Sequence, residues 1–301
     1  MVEISFVVPA YNEGDKIFDN ITECVNALTE LNLDYEMIVV NDGSQDDTYK
    51  EATRVKSERV KVVGYPDNRG KGYAILHGIK QAKGDLITFF DADLDLNPKQ
   101  IKTFIEYMEE READVVIGSK RHPLSDIDYP LGRMFFSKGY NLMLKTMLGI
   151  TLSDTQVGLK LFKKEVLEEI APMMHVKRYA FDVEILANAS RLGYRIVEAP
   201  IVLNFQRGMS WGRIRVKDIF CMAVDTTAVA YRFHILQEWS KMLITVMATV
   251  TAFLAIIVLY KMMNPYAFPL IEYRILYTLV ALGIFGVVLN LPYDKFSERM
   301  N

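Results

Sequence analysis

Residues 4–40, ISFVVPAYNEGDKIFDNITECVNALTELNLDYEMIVV, decide the fold class. The β-branched run Ile4–Ala10 has strand length and is bounded by Tyr11-Asn12-Glu13-Gly14. Over Asp15–Leu31, apolar Ile17, Ile21, Val25 and Leu28 recur at helical spacing. Glu36–Val40 is a second strand, ending in the turn Asn41-Asp42-Gly43-Ser44. The unit then repeats. Helices are predicted over 46–57, 69–82 and Pro98–Glu110, and strands over Val60–Tyr65, Leu86–Phe90 and Val115–Gly118. Strands continuous in Val and Ile, alternating with helices, predict an α/β fold with a mainly parallel sheet covered on both faces. From Pro130 the pattern changes to a helix over 134–148, a short strand Lys160–Phe162, a helix Ala180–Leu192 and a strand Arg195–Pro200.

The rest of the chain is organised differently. Its 301 residues allow roughly two domains, or one α/β domain with an appendage. Residues 242–260 and 275–293 contain no charged side chain. At about 1.5 Å per residue, each run is long enough to cross an apolar slab of roughly 30 Å. Residues 261–274 between them are too few for a domain, so the pair predicts a two-helix transmembrane hairpin with both ends on one side. Ahead of it, residues 205–234 carry Arg207, Arg213, Arg215, Lys217 and Arg232 against Asp218 and Asp225, interleaved with apolar residues. Such a basic amphipathic stretch before a span reads as an interfacial helix on anionic membrane lipid. A solvated helix packed on the domain is the alternative. The resulting plan is a domain over 1–212, an interfacial helix over 213–240 and a membrane hairpin with a short tail over 241–301. The basic segment before Lys241 places the large domain in the cytoplasm.

A net charge of −3 gives no footprint for nucleic acid. Cys24 and Cys221 form neither a disulfide framework nor a metal spacing, and fit a reducing compartment. Glu3 and the lack of a basic n-region argue against a signal peptide.

In an open parallel sheet, ligands bind outside the carboxyl ends of the strands. The polar residues there are Tyr11, Asn12 and Glu13, then Asp42, Gly43 and Ser44, then Asp91, Asp93 and Asp95. Three carboxylates within five residues repel one another unless a cation sits among them. Mg²⁺ or Mn²⁺ suits such a site, because hard cations take one or two carboxylates and complete their shell with water and phosphate. Asp95, just before Asn97-Pro98, also reads as a helix cap. Gly70-Lys71-Gly72-Tyr73-Ala74-Ile75 is misplaced for a dinucleotide fingerprint: it follows the third strand and lacks the third glycine. Its glycines instead allow close backbone approach at a helix N-terminus, where Arg69 and Lys71 could face a diphosphate or simply be solvated. No Walker motif, zinc spacing or Ser-His-Asp signature is present.

VVPAYNEG, VVNDGSQDDT, NRGKGYAILHGI and FFDADLDLNP, in this order and spacing, resemble the inverting family 2 glycosyltransferases of GT-A fold. GSKRH, SDTQVGLKLF and RYAFDVEIL are similar to the dolichyl-phosphate glucosyltransferase and mannose synthase group, leaning toward the glucosyl branch. The resemblance covers about residues 2–212. It implies a membrane-bound, metal-dependent hexosyltransferase moving glucose from UDP-glucose to polyprenyl (dolichyl) phosphate, with mannose from GDP-mannose as the alternative. By the same resemblance Pro9, Ala10, Tyr11, Glu13 and Asp42 hold the nucleotide base and ribose, while Asp91, Ala92 and Asp93 serve ribose and metal, with Asp95 beside them. Arg133 corresponds to a basic residue on the acceptor phosphate, with Ser137 one helical turn on. The family's Gly-Ser-Arg reads Gly118-Ser119-Lys120 here with Arg121 next, so either cation can serve the acceptor phosphate. Its later Arg-x-x-Gly-x-Ser-Lys segment reads Phe205-Gln206-Arg207-Gly208-Met209-Ser210-Trp211, which assigns Arg207, with Lys71, to the diphosphate. The expectation agrees with elementary chemistry. A lipid phosphate is already ionised near neutral pH, so its attack needs no strong general base, but the departing diphosphate needs neutralising charge. Asp182 and Glu184 are therefore read as positioning groups. A processive polysaccharide synthase is disfavoured by the absence of a Gln-x-x-Arg-Trp segment.

Overall fold

The structure, a computed structural model, describes residues 2–94, 96–125, 144–150, 152–176, 180–202 and 216–233. Its strands are β1 (Ile4–Ala10), β2 (Tyr35–Asp42), β3 (Val60–Tyr65), β4 (Leu86–Phe89), β5 (Val115–Ser119), β6 (Lys160–Lys163) and β7 (Ile196–Pro200). They form one sheet in the order β3-β2-β1-β4-β6-β5-β7. Neighbours pair in parallel except around β6, which runs antiparallel to both β4 and β5.

Successive side chains of a strand point to opposite faces, and both faces here are buried. Phe6, Val8, Met37 and Val39 join Ile17, Ile21 and Leu28 of α1 (Ile17–Glu30) and Ile101 and Phe104 of α4 (Ile101–Glu110) in one cluster. Val7, Ile38 and Val40, the alternate positions, join Ala74, Ile75 and Ile79 of α3 (Lys71–Ile79) and residues of the helices Lys164–Ile170 and Phe181–Arg191 in the other. At about 1.5–3 kcal/mol for each large aliphatic side chain fully buried, this double burial is what selects unbroken Val/Ile runs over alternating ones. The predicted two-faced, mainly parallel sheet is the one observed.

Several elements differ in extent. The predicted helix 46–57 contracts to α2 (Thr48–Thr53). Pro98–Glu110 divides into a 3₁₀ turn, Pro98–Gln100, followed by α4, and it is the Asn97 side chain that caps it by accepting from Lys99 N at 2.9 Å. The helix Lys164–Ile170 has no counterpart in the sequence reading, because two turns are too short to show a period. Of the predicted helix 134–148, residues 144–148 are described and are helical.

All seven strands belong to the compact unit Met1–Ala230. Residues 231–301 form a second unit, of which only 231–233 are among the described residues. Within the proposed interfacial stretch, Val216–Tyr231 is helical, with Thr226, Val229 and Ala230 buried. The predicted spans 242–260 and 275–293 lie outside the described residues, among which no helix is long and apolar enough to cross a membrane.

Candidate active site

The strand order reverses direction between β1 and β4, and a crevice opens at the carboxyl ends of such a pair. Here it is a cavity of about 520 Å³ lined by Pro9, Ala10, Tyr11 and Glu13 after β1, Asp42 ending β2, Asn68, Gly70 and Lys71 before α3, and Asp91, Ala92 and Asp93 after β4. Gln156 and Asp182 complete the wall. Its volume lies in the range of small-molecule sites. A second cavity of about 130 Å³ adjoins it, lined by Phe90, Asp91, Asp93, Leu96, Lys120, Gln156, Val157 and Gly158.

The loops that form the cavity are tied to one another. Asn12 takes the left-handed conformation (φ 53°), and its side-chain oxygen accepts from Gln45 N at 2.9 Å while its own N–H donates to Ser44 Oγ at 3.0 Å. Glu13 N donates to Thr48 Oγ1 at 2.8 Å, and Gly14 N to Asp46 Oδ2 at 2.9 Å. Burial works to raise the Asp46 carboxyl, but donation from the Thr48 hydroxyl, Gly14 N and Thr48 N holds it below its usual value. Asp42 is nearly saturated. It accepts from Tyr65 Oη at 2.7 Å, Asn68 Nδ2 at 3.0 Å, Arg69 N at 2.8 Å and Gly70 N at 2.9 Å, so it organises the loop leading into α3. Burial and this bond to Asp42 push the Tyr65 phenol well above its ordinary pKa. Arg69 turns away from the cavity and stacks over Tyr65 and Tyr73, donating to Tyr73 Oη at 2.7 Å. Lys71 is the cation that faces inward.

Lys71 Nζ sits 2.6 Å from Asp91 Oδ1, and each side chain keeps 40% of its surface accessible because the pair lines the cavity. Burial alone would depress the lysine. The carboxylates of Asp91, Asp182 and Asp93 outweigh it and hold the ammonium above the usual lysine range. Burial likewise works to raise Asp91, but Lys71, with help from Lys160 and Lys120, keeps that carboxyl below the ordinary value. Asn20 of α1 donates to Ala92 O at 2.8 Å and fixes the Asp91-Ala92-Asp93 turn from beneath, while Leu94 takes φ 55° to fold the chain back.

A side chain remote in sequence closes the site. Because β6 is antiparallel, its first residue Lys160 pairs with Phe89 at the carboxyl end of β4. The segment 156–158 that leads into β6 therefore arrives against Asp91. A Cβ on Gly158 would stand 2.0 Å from Asp91 Oδ2, so any larger residue there has to displace that carboxylate. Lys160 is 1% exposed, and its ammonium donates to Val157 O and Asp182 Oδ1, both at 2.6 Å. Glu184, 1% exposed, accepts from the backbone N–H groups of His175 and Val176.

Of the residues singled out from the sequence, Pro9, Ala10, Tyr11, Glu13, Asp42, Lys71, Asp91, Ala92 and Asp93 are brought together in the larger cavity. Lys120 lines the smaller one, 3.9 Å from Asp154 Oδ2. Arg121, also at the end of β5, lines neither. Asp95, Arg133, Ser137 and Arg207 lie outside the described residues. Asn68, Gln156, Gly158 and Lys160 have no assigned role in the sequence reading, although they fall in the family-like segments NRGKGYAILHGI and SDTQVGLKLF. Asn68 and Gly70 carry a legible signal, because they precede a helix after a strand end. For Gln156, Gly158 and Lys160 the resemblance marks the segment, and only the pairing of β6 places it against Asp91.

The family model for Glycosyl transferase family 2 matches residues 5–171. Among curated relatives, a dolichyl-phosphate beta-glucosyltransferase of Dictyostelium discoideum is 32% identical over 218 residues, 66% of this chain and 66% of that protein. One of Trichomonas vaginalis with the same activity in its name is 32% identical over 252 residues, 77% of this chain and 72% of that protein. The matched stretch thus spans about two thirds to three quarters of these relatives. Among solved structures, glucosyl-3-phosphoglycerate synthase from Mycobacterium tuberculosis, in complex with Mn²⁺, UDP-glucose and phosphoglyceric acid, superposes with a TM-score of 0.57 at 21% identity, covering 77% of this chain and 79% of that one. The likeness carries the fold.

Proposed function

We propose, on the premise that this chain belongs to glycosyl transferase family 2 and is a glycosyltransferase, that it moves glucose from UDP-glucose to dolichyl phosphate at the cytoplasmic face of a membrane. The observation that carries this reading is the pair of adjoining cavities. The larger one, at the ends of β1, β2 and β4, has the size and polar lining for a nucleotide sugar. The smaller one, with Lys120 at its wall, suits an acceptor phosphate.

In this reading an oxygen of the lipid phosphate attacks the anomeric carbon of glucose. The bond from that carbon to the diphosphate oxygen breaks, UDP leaves with the electron pair, and the anomeric configuration inverts. No proton has to be removed from the acceptor, since it is already ionised. Glu13, Asp42 and the Pro9–Tyr11 turn hold the nucleoside, Lys71 meets the diphosphate, and Lys120 holds the acceptor phosphate. Arg133, Ser137, Arg207 and Arg121 are assigned to the same two anions from the sequence resemblance.

The lining fits a divalent cation. With Asp182 paired to Lys160, Glu13, Asp42, Asp91 and Asp93 face Lys71 among the described residues that line the larger cavity, and a diphosphate entering among those carboxylates needs added positive charge. Asp91 and Asp93 are hard oxygen ligands two residues apart, the donor set that Mg²⁺ or Mn²⁺ takes together with phosphate oxygens, and Asp95 is proposed as a third. When bound, the ion neutralises charge that builds on the departing diphosphate. The 1–212, 213–240 and 241–301 division, with the last part as a membrane hairpin, rests on the charge-free runs and on the lipid nature of the proposed acceptor.

The test supplies membranes containing the full chain with dolichyl phosphate and, in separate reactions, UDP-glucose and GDP-mannose labelled in the sugar. Label from UDP-glucose should enter the lipid phase and be lost on chelation. Lipid labelling from GDP-mannose alone would replace glucose by mannose in the assignment, and full activity in excess chelator would remove the metal.

A further inference from the structure

We propose that Gln156 reads the transferred hexose and sets which sugar the enzyme accepts. The proposal rests on the reading that the two cavities receive a nucleotide sugar and an acceptor phosphate. A hexose bonded to the leaving diphosphate and attacked by the acceptor has to lie where those cavities meet. Among the described residues, three line both: Asp91, Asp93 and Gln156. Asp91 is assigned to the diphosphate's cation, and its Oδ1 meets Lys71 Nζ. Asp93 belongs with the diphosphate and its cation. The Gln156 amide is the neutral group at the junction, and it offers both a donor and an acceptor, which is what a sugar hydroxyl requires.

The main chain beneath that amide is held from every side. Gln156 N donates to Asp154 Oδ1 at 3.0 Å, Asp154 N donates to Glu198 Oε1 at 3.2 Å, and Lys120 N donates to Asp154 Oδ2 at 3.3 Å. On the other flank Lys160 Nζ donates to Val157 O at 2.6 Å. Thr155 and Val157 are buried, whereas Gln156 between them is exposed. No hydrogen bond joins its side chain to another described residue. The fixed backbone keeps the amide at the junction of the two cavities, and the side-chain rotamer is ordered when a ligand meets it. Sites that hydrogen-bond a substrate hydroxyl also discriminate most strongly against analogues that misplace it.

The test uses the full chain in detergent with Mg²⁺ and measures affinity for UDP and for UDP-glucose by calorimetry, together with transfer from UDP-glucose and UDP-galactose. Gln156→Met keeps the side-chain length and removes the amide. Its affinity for UDP should equal that of the wild type, while its affinity for UDP-glucose should fall about five- to tenfold, the loss of one or two neutral hydrogen bonds. The preference for glucose over galactose should fall by a similar factor, and Gln156→Asn should recover part of it. Unchanged affinity for UDP-glucose would overturn the proposal. So would equal weakening of UDP and UDP-glucose, which identifies a support for the loop. If the wild type binds UDP-glucose no better than UDP, the proposal falls while the functional reading still stands on label transfer to lipid. If the hexose adds affinity through Gln156 but no label reaches lipid, it is the acceptor assignment that falls.

Discussion

Replacing Lys71 by methionine would leave the Asp91 carboxylate beside Asp93 and Asp182 without the ammonium 2.6 Å away. The pair's contribution to stability has a defined pH window. Asp91 is held below its unfolded value of 3.8, so its share is present above that pH and is lost as pH falls through the lower folded value. Lys71 is held above its unfolded value of 10.5, so its share is complete below that pH and is lost as pH rises through the higher folded value. Urea midpoints of wild type and Lys71→Met should therefore differ most near neutral pH, and converge as pH falls through the acidic range and as it rises through the folded value of Lys71. A gap that persists undiminished at pH 2 would place its origin elsewhere. Gly158 is a second sensitive position. A methyl group there would need the space of the Asp91 carboxylate, which is short and already paired, so Gly158→Ala should swing it off Lys71. Displacing a reacting-site group by about 1 Å can cost on the order of a hundredfold. Transfer should drop at least tenfold while far-ultraviolet circular dichroism stays that of the wild type, and a variant with near-normal turnover would show that Asp91 is not needed where it sits.

Among the elements, β1 to β5 were legible almost to the residue, because burial on both faces demands unbroken apolar runs and leaves polar residues only at the carboxyl ends. Those same ends supplied Glu13, Asp42, Asp91 and Asp93, so half of the site could be read from strand termini. What sequence could not show was the direction of β6. Lys160–Phe162 reads as a strand in either sense, and only its antiparallel pairing with β4 delivers Gln156 and Gly158 to Asp91, more than sixty positions away in the chain. A lysine in a strand core also argues against burial until its partner is known. Lys160 on β6 is neutralised by Asp182 on the helix Phe181–Arg191, with side-chain exposures of 2% and 12%. Removing one partner of such a pair strands the other charge and costs about 3–5 kcal/mol. Asp182→Ala should lose that much in denaturant unfolding, and Lys160→Met in the same chain should recover much of it, because the orphaned ammonium is gone. Additive losses in the double variant would mean that the two residues act independently.

At the scale of the whole molecule, a donor that dissolves in water has to meet an acceptor that does not, and the chain's charge distribution anticipates this. Residues 242–260 and 275–293 carry no charge, while the segment 205–234 ahead of them is net positive. An apolar run of this length costs too much to leave in water and is long enough, at about 1.5 Å per residue, to cross a hydrocarbon core of roughly 30 Å. In the proposed hairpin, two crossings return the chain to the side from which it started. In that proposed hairpin, basic residues before the first crossing favour retention of that side on the cytoplasmic face, by attraction to anionic lipid. A tag after Asn301 and a tag before Met1 should therefore be digested together by protease added to sealed vesicles whose cytoplasmic face is outward, and be protected together in vesicles of the opposite orientation. A cysteine introduced between the runs, at Ala267, should behave in the reverse way toward an impermeant maleimide. Protection of only one terminus would mean that a single run crosses. Extraction of the chain by alkaline carbonate would mean that neither does, leaving the basic segment as its hold on the membrane.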